Sequence, residues 1–146
     1  MDDFEALGIP ILLREARGAF GTNIRRRFKA AGLPLLPVQG AWILGGLHSG
    51  EASFEELLHQ RKSSLEKNKT LDELVAAGYI VASQGSYELT DLGHKAAALM
   101  GSAVAEVGDL LDDAIGKAGV ATFRKALLVL IDYKESLEDQ ERLREE

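Results

Sequence analysis

The chain contains no cysteine, and this absence excludes several kinds of chemistry together. A protein without cysteine has no disulfide bond, no thiolate metal ligand, no cysteine nucleophile and no thiol redox sensor. Long apolar runs are missing as well. The longest is Ala126–Ile131, far below the about 20 residues that a membrane-spanning helix needs. The acidic start MDDFEALG lacks the basic and apolar regions of a signal peptide. We therefore expect a cytoplasmic protein that does not enter a membrane.

Motifs that carry catalysis or bind metal are also missing. The sequence has no Gly-x-Ser-x-Gly nucleophile motif, no phosphate-cradling glycine loop and no His-Glu-x-x-His zinc motif. The three histidines, His48, His59 and His94, lie far apart, whereas a zinc site needs several ligands at helical or loop spacing. We interpret them as solvent-facing. The sequence predicts no enzyme, no catalytic residue, no bound metal and no cofactor.

Charge is unevenly distributed along the chain. The net charge is -6, yet residues 14–69 carry ten basic and five acidic side chains. Residues 95–146 carry seven basic and eleven acidic side chains, and no Lys or Arg lies between Lys69 and Lys95. A basic half joined to an acidic half indicates one part that faces an anion and another that serves assembly.

Apolar residues at helical spacing predict two helices in the first third of the chain. We expect residues 1–9 to be a loose lead-in and a helix to begin at Pro10, because proline is tolerated in the first helical turn. Gly32 ends this helix. A second helix begins near Pro37 or Val38 and is closed by Gly50. The apolar face of the first helix consists of Leu13, Ala16, Phe20, Ile24 and Phe28.

Start signals of two further helices follow. Ser53 and Glu56 are spaced as a capping box, which predicts a short helix over residues 54–60. Ser63 or Ser64 caps the fourth helix, because a serine oxygen can accept a hydrogen bond from the free N–H groups of the first turn. The apolar face of this fourth helix is formed by Leu71, Leu74 and Val75.

Stop signals and strand-forming residues come next. Gly78 predicts the end of the fourth helix as a C′ glycine. Residues 79–83 and 86–89 are rich in aromatic and β-branched side chains, and Gln84-Gly85 between them predicts a tight hairpin. Thr90 or Asp91 then caps a long helix that extends to about Gly116.

The last predicted helix runs from Thr122 to about Leu143. Its segment Ala126–Ile131 is apolar nearly all round. A helix of this kind must be buried on several sides. In a chain of this size the simplest burial is against a partner subunit, and we therefore expect a homodimer.

The order of these elements is that of a winged helix-turn-helix, and several motifs resemble the MarR family of bacterial transcription regulators. These motifs are the Ser53 cap followed by Glu56-Leu57-Leu58, the Leu74-x-x-x-Gly78-Tyr79-Ile80 helix ending, and the Glu88-Leu89-Thr90-Asp91-Leu92-Gly93 strand-to-helix junction. The resemblance covers roughly residues 10–140. It implies a mainly α fold with a small β-hairpin wing, and a homodimer.

The resemblance also implies how the chain is organised. Residues 1–146 would be a single domain. Within it, residues 37–92 would form a winged-helix DNA-binding lobe, while residues 10–32 and 93–144 would form a helical dimerisation lobe. The expected function is that of a transcription regulator, a repressor, which binds a double-stranded DNA operator.

By this resemblance the fourth helix enters the major groove and the hairpin lies beside the minor groove. Lys and Arg bind phosphate or guanine edges, Asn can pair with adenine, and Ser can bond either phosphate or base. The implied DNA-binding residues are Arg61, Lys62, Ser63, Ser64, Lys67, Asn68, Lys69, Ser83, Gln84, Gly85 and Ser86.

The residues leave a second function open. The hairpin has no positive charge, whereas the family's wing usually carries an Asp-x-Arg element whose basic residue reaches the minor groove. Glu66 and Glu73 lie on the predicted groove-facing side of the fourth helix, where carboxylates repel phosphate unless they accept from cytosine. The alternative is a winged-helix module that binds a protein partner and has little specific DNA binding.

Two groups of residues also have two interpretations each. The first group could line an apolar pocket for a small aromatic effector, of the kind that family members bind, with Arg25 holding its carboxylate; alternatively these residues are core. It comprises Phe20, Arg25, Phe28, Trp42 and Tyr133.

The second group either assists DNA binding or pairs with the acidic C-terminal helix of a partner subunit. It comprises Arg14, Arg25, Arg26, Arg27 and Lys29.

Overall fold

The computed structural model describes residues 2–37, 39–50 and 65–145, and it is mainly helical with one small β-hairpin. The predicted helix over residues 54–60 and the serine caps at Ser53, Ser63 and Ser64 lie outside the described residues. The elements are α1 (Asp2–Glu5), α2 (Ile9–Ala31), α3 (Gly40–Ser49), α4 (Leu65–Ala76), β1 (Ile80–Ser83), β2 (Ser86–Leu89) and a helical segment Asp91–Glu145.

Gly116 interrupts the helical segment Asp91–Glu145. Its φ of 76° and ψ of 165° are not helical, so we name the part before it α5 (91–115) and the part after it α6 (117–145). The predicted end of the long helix near Gly116 is thereby confirmed. The predicted start of the last helix at Thr122 is wrong. Its hydroxyl donates to the Ala118 carbonyl oxygen (3.1 Å) from inside a helix that has already begun.

The chain divides into two compact units, Met1–Glu106 and Val107–Glu146. The buried core cluster belongs to the first unit. In the second unit most side chains are exposed, as Val129 (63%) and Tyr133 (66%) illustrate. No helix in the described part of the chain is long and apolar enough to cross a membrane. The core consists of Phe28, Ile43, Leu44, Leu71, Leu74, Tyr79, Ile80, Ala96 and Met100.

Proline and glycine mark the ends of α2 as predicted. Pro10 lies in its first turn, and Gly32 follows its last turn with a left-handed φ of 71°. Of the predicted apolar face only Phe28 is buried (1% exposed), whereas Ile24 is partly buried and Phe20 is 38% exposed. The first half of α2 therefore presents apolar side chains to solvent.

Two predicted boundaries near the start of the chain are wrong. Asp2–Glu5 form the one-turn helix α1 within the expected loose lead-in. α3 begins at Gly40 instead of Pro37 or Val38, because Gln39 adopts a left-handed φ of 66° that a helix cannot include. The end of α3 is confirmed, since Gly50 follows it with a φ of 69°.

α4 ends in the backbone motif that Gly78 predicts. The Gly78 N–H donates to the Val75 carbonyl oxygen and the Tyr79 N–H donates to the Leu74 carbonyl oxygen, both at 3.0 Å. The left-handed φ of 86° at Gly78 permits both hydrogen bonds, as in a Schellman motif. Leu71 and Leu74 are buried as predicted. Val75 is 41% exposed, so its assignment to the buried apolar face is wrong. Successive residues of an α-helix are rotated by about 100°, and Val75 therefore lies outside the face that Leu74 occupies.

The predicted hairpin is confirmed. β1 and β2 pair antiparallel, with Ile80 opposite Leu89 and Ser83 opposite Ser86. Gln84 and Gly85 form a two-residue turn and both have positive φ (50° and 80°), as a type I′ turn requires. The first strand starts at Ile80, one residue later than predicted.

Thr90 connects the hairpin to α5 and confirms the predicted cap. Its Oγ1 accepts a hydrogen bond from the Gly93 N–H (3.0 Å). The same hydroxyl lies within hydrogen-bond distance of the carbonyl oxygens of Gly78 (2.5 Å) and Tyr79 (3.1 Å). Gly93 is buried so close to Tyr79 that an added Cβ would clash with its carbonyl oxygen. The start of α5 is therefore fixed against the end of α4.

Candidate nucleic-acid interface

α4 presents one polar face to solvent. Thr70, Leu71 and Leu74 fix its orientation because their side chains are buried. The helix packs against both α3 and β1, so its exposed face is the side away from them. The side chains described as exposed along α4 are Asn68, Lys69, Asp72, Glu73, Val75 and Ala76.

Lys69, a basic residue on this face, has an acidic neighbour. Lys69 Nζ lies 3.9 Å from a carboxylate oxygen of Glu73, one helical turn further along. The Lys69 side chain is 77% exposed and that of Glu73 is 47% exposed. An exposed pair of this kind contributes less than about 1 kcal/mol. The ammonium group is therefore held weakly and can exchange Glu73 for another anion.

Those residues predicted to bind DNA that the structure describes fall on α4 and on the hairpin, which pack together. Asn68 and Lys69 lie on α4, and the segment from Ser83 to Ser86 forms the hairpin tip. α4 and β1 are in contact. Lys67 belongs to α4, but its side chain is not described. The remaining predicted residues lie outside the described residues: Arg61, Lys62, Ser63 and Ser64.

The hairpin tip is uncharged, as the sequence indicates. The Ser86 hydroxyl donates to the Ser83 carbonyl oxygen (3.1 Å), which closes the turn. Gln84 and Gly85 are exposed at the end of the hairpin. The Gln84 amide can both donate and accept hydrogen bonds, whereas no group at the tip supplies positive charge.

Two arginines of α2 pair with an acidic residue of α5 in the same unit. Arg27 donates to a carboxylate oxygen of Glu106, and Arg26 Nη2 lies 3.6 Å from the other one. The Asn23 amide nitrogen donates to the Ala103 carbonyl oxygen (3.0 Å) and to Glu106 (3.4 Å). Of the two interpretations that the sequence leaves open for these arginines, neither foresees a partner on α5 of their own chain.

Glu106 is therefore surrounded by donors. The hydrogen bond from Arg27, followed by the one from Asn23, lowers the pKa of Glu106 below its ordinary value. An open groove of about 590 Å³ lies beside this cluster. It is lined by Arg26, Arg27, Ala30, Ala31, Leu99 and Glu106.

The residues predicted as a pocket for an aromatic effector have different environments. Phe28 is a core residue whose ring contacts Tyr79 edge-on, with centroids 6.3 Å apart. Phe20 (38%), Trp42 (39%) and Tyr133 (66%) are exposed, and Tyr133 belongs to the second unit. Arg25 is exposed and donates to the Thr22 hydroxyl (3.2 Å). The core interpretation therefore applies to Phe28 and not to the three exposed aromatic residues.

Two histidines that the sequence treats separately are in contact. His48 lies in the last turn of α3 and His94 in the first turn of α5, and their ring centroids are 5.7 Å apart at an interplanar angle of 63°. Both are exposed, as predicted. Their spacing in the sequence gives no signal of this contact, because only the tertiary structure brings the two helix ends together.

Comparison of the sequence with models of known protein families found no match, and comparison with curated proteins found none either.

Proposed function

We propose that the protein is a homodimeric transcription regulator of the MarR type, which binds double-stranded DNA and acts as a repressor. The observation that carries this proposal is the continuous unit formed by α4, the hairpin and the start of α5. Gly78 ends α4, β1 begins at Ile80, and Thr90 caps α5 directly after β2. In winged-helix proteins this order places a helix in the major groove with the hairpin beside it.

The chemistry of the exposed α4 face supports a polar ligand. Asn68 supplies an amide that can pair with adenine, and Lys69 supplies an ammonium group for phosphate or guanine. Binding DNA would move Lys69 from Glu73 to a phosphate. The exchange costs little because the exposed ion pair is weak.

The homodimer part of the proposal rests on apolar side chains that one chain leaves in water. Fully burying one such side chain contributes about 1.5–3 kcal/mol. Most of the large apolar side chains that are exposed lie in the two segments expected to dimerise, 10–32 and 93–144, or directly beside the first of them. On α2 they are Ile9, Ile11, Leu12 and Phe20, and on α6 they are Phe123, Leu128, Val129, Leu130, Ile131, Tyr133, Leu137 and Leu143.

Selection of genomic DNA fragments by the purified full-length protein tests the proposal. We expect enrichment of a site with two-fold symmetry at physiological salt, because two copies of α4 would read two half-sites. The selection is repeated at low salt, where phosphate contacts alone can hold DNA. Binding at low salt only, without an enriched sequence, would overturn the proposal.

A matched pair of lysines then tests whether α4 is the reading helix. Lys69 and Lys134 each lie 3.9 Å from a glutamate one helical turn away, and each is mostly exposed (77% and 69%). Lys69→Gln and Lys134→Gln therefore remove the same charge and the same kind of ion pair. We expect only Lys69→Gln to weaken operator binding and to reduce the slope of log affinity against log salt by about 1 per subunit, or about 2 for the dimer. Equal binding by both variants would contradict the role of α4.

A second candidate function is favoured by the uncharged hairpin tip and by acidic and apolar groups exposed on α4 and β1, which are in contact. Asp72 and Glu73 are exposed on α4, and one exposed valine lies on each of two packed elements, Val75 on α4 and Val81 on β1. A surface of this composition suits a protein partner. Tight, sequence-specific DNA binding at physiological salt would rule out this second function.

A further inference from the structure

We propose that His48 and His94 together bind a divalent transition metal ion, such as Cu²⁺, Ni²⁺ or Zn²⁺, and so bridge the end of α3 to the start of α5. Imidazole nitrogen is a common ligand of these ions, and two imidazoles that meet can chelate one ion. The inference does not depend on the proposed function.

The distance between the two rings suits a shared metal ion. A metal bonded to one nitrogen of each ring at about 2.1 Å places the two ring centroids about 5 Å apart. The observed centroid separation is 5.7 Å. The rings are inclined at 63°, so one must rotate before both nitrogens converge. Both side chains are exposed, and the terminal torsion of histidine is broad, so this rotation costs little.

The backbones that carry the two histidines are held firmly. His94 directly follows Gly93, whose N–H is bonded to the Thr90 hydroxyl and whose Cα packs on the Tyr79 carbonyl oxygen. His48 lies one turn after Leu44 on α3, and Leu44 is 0% exposed. Because both helix ends are anchored to the core, little ordering of the backbone is needed when a metal binds.

Two protein nitrogens leave the rest of the coordination shell to water. Within residues 2–37, 39–50 and 65–145, no group of three or more His, Asp or Glu side chains is placed to hold a metal. A closed structural zinc site has four protein ligands. The His48–His94 site is therefore an open one, with the strongest binding for Cu²⁺ in the usual order of divalent ions.

Calorimetric titration of the full chain with Cu²⁺ and with Ni²⁺ tests the proposal, using protein prepared without a polyhistidine tag. We expect one ion per chain. His48→Gln and His94→Gln each remove one arm of the chelate and should weaken binding about tenfold or more. His59→Gln is the matched control at the third histidine and should bind as the unchanged protein does. Binding that is unaffected by the first two variants, or lost in the third, would overturn the proposal.

Thermal unfolding supplies a second readout that does not rely on the titration. A metal held by two helices of the folded chain should raise Tm for the unchanged protein, because the unfolded chain does not preserve the paired site. The rise should be clearly smaller in His48→Gln and in His94→Gln at the same metal concentration. Sedimentation with Ni²⁺ distinguishes a bridge within one chain from a bridge between chains. Metal-dependent association that requires both histidines would place them on different chains and contradict the assignment.

Discussion

The phenol of Tyr79 donates a hydrogen bond to the carbonyl oxygen of Pro34, which ties the end of α4 to the connection between α2 and α3. Tyr79 is 0% exposed, and its ring also contacts Phe28 on α2. Burial raises the pKa of the Tyr79 hydroxyl above its ordinary value, so the group stays protonated and able to donate at neutral pH. One side chain thus joins three parts of the first unit.

Removing the Tyr79 hydroxyl tests the value of that link. Tyr79→Phe keeps the buried ring but leaves the Pro34 carbonyl without this donor, so we expect unfolding to become easier by about 1 kcal/mol. Urea unfolding measures the change. Tyr133→Phe is the control, because Tyr133 is 66% exposed in the single chain and the substitution keeps its ring, so the unfolding free energy should change by less than about 0.5 kcal/mol. If both variants have the same unfolding free energy, the hydrogen bond from Tyr79 to Pro34 does not stabilise the fold.

Two glycines of α5 should respond in opposite directions to alanine. At Gly93 the added Cβ meets the Tyr79 carbonyl oxygen and lies 3.1 Å from Leu89 Cδ2, so we expect a loss of about 1–3 kcal/mol. At Gly101 the added Cβ has no neighbour within 4 Å, and alanine should stabilise the helix by about 0.5–1 kcal/mol. Urea unfolding of both variants gives the comparison. A Gly93→Ala protein as stable as Gly101→Ala would show that α5 does not start against Tyr79.

Glu106 should make stability depend on pH in the acid range. Its folded-state pKa is lowered, chiefly by the hydrogen bond from Arg27. The charged carboxylate therefore stabilises the fold fully above its unfolded-state pKa, and this contribution is lost as pH falls through the lowered folded-state pKa. We expect Glu106→Gln to be less stable than the unchanged protein at pH 7 and equally stable at the acid end of the titration.

Urea unfolding from pH 7 down to the acid limit of the native state measures this convergence. Glu141→Gln, at an exposed carboxylate of the second unit, controls for the loss of one negative charge. If the unfolding free energies of Glu106→Gln and the unchanged protein differ by the same amount at every pH, the ion pair is not the cause of the difference.

Glu73 should oppose DNA binding by the proposed regulator. Its carboxylate lies on the exposed face of α4 and holds Lys69 at 3.9 Å. Glu73→Gln removes a negative charge and releases the lysine, so we expect DNA affinity to rise about two- to fivefold. Fluorescence anisotropy with a labelled duplex measures it, and Glu138→Gln, which releases Lys134 in the same way, is the control. Weaker binding by Glu73→Gln would show that the carboxylate contacts DNA favourably.

The exposed apolar side chains of α6 should maintain the proposed homodimer. Val129 is 63% exposed in the single chain, and a lysine in its place would bring a charge into the interface. We expect Val129→Lys to raise the dimer dissociation constant at least about tenfold, measured by sedimentation. Val81→Lys is the control, since Val81 is an exposed valine of the hairpin (47%). A monomeric unchanged protein, or dissociation caused equally by both changes, would contradict this interface.

Features that depend on a few neighbouring residues could be predicted from the sequence. Gly32, Gly50 and Gly78 adopt the left-handed conformation that ends a helix, and Thr90 caps α5 with its own hydroxyl. The Gln84-Gly85 turn follows from the same local chemistry. Such features require no knowledge of distant contacts. For this reason the sequence correctly predicts the C-terminal ends of these helices and the hairpin turn.

The start of α6 shows how a local rule can mislead. The last helix is predicted to begin at Thr122, yet Thr122 and the preceding Gly119 both lie inside α6. A glycine in a helix interior costs about 1 kcal/mol, which neighbouring helix-forming residues can offset. The position of Gly116 is different, because its φ of 76° and ψ of 165° lie outside the helical region.

Side-chain partners across the fold could not be predicted. Arg26 and Arg27 find Glu106 on α5, and His48 finds His94, because α2, α3 and α5 meet around a shared core. Helical spacing identifies which residues share a face, but it does not identify the neighbouring element. The exposure of Val75 has the same origin, since the width of a buried face depends on what packs against it.

The two-residue turn also determines where this chain can be lengthened. Ser83 and Ser86 are paired partners in the hairpin, so the chain leaves and re-enters the strands at neighbouring points. Extra residues between them leave the pairing of Ile80 with Leu89 intact, and each doubling of loop length costs only about 0.6 kcal/mol. The tip is therefore a tolerant insertion point. A longer loop that carries lysine could be grafted there to extend the reach of the hairpin while the core stays unchanged.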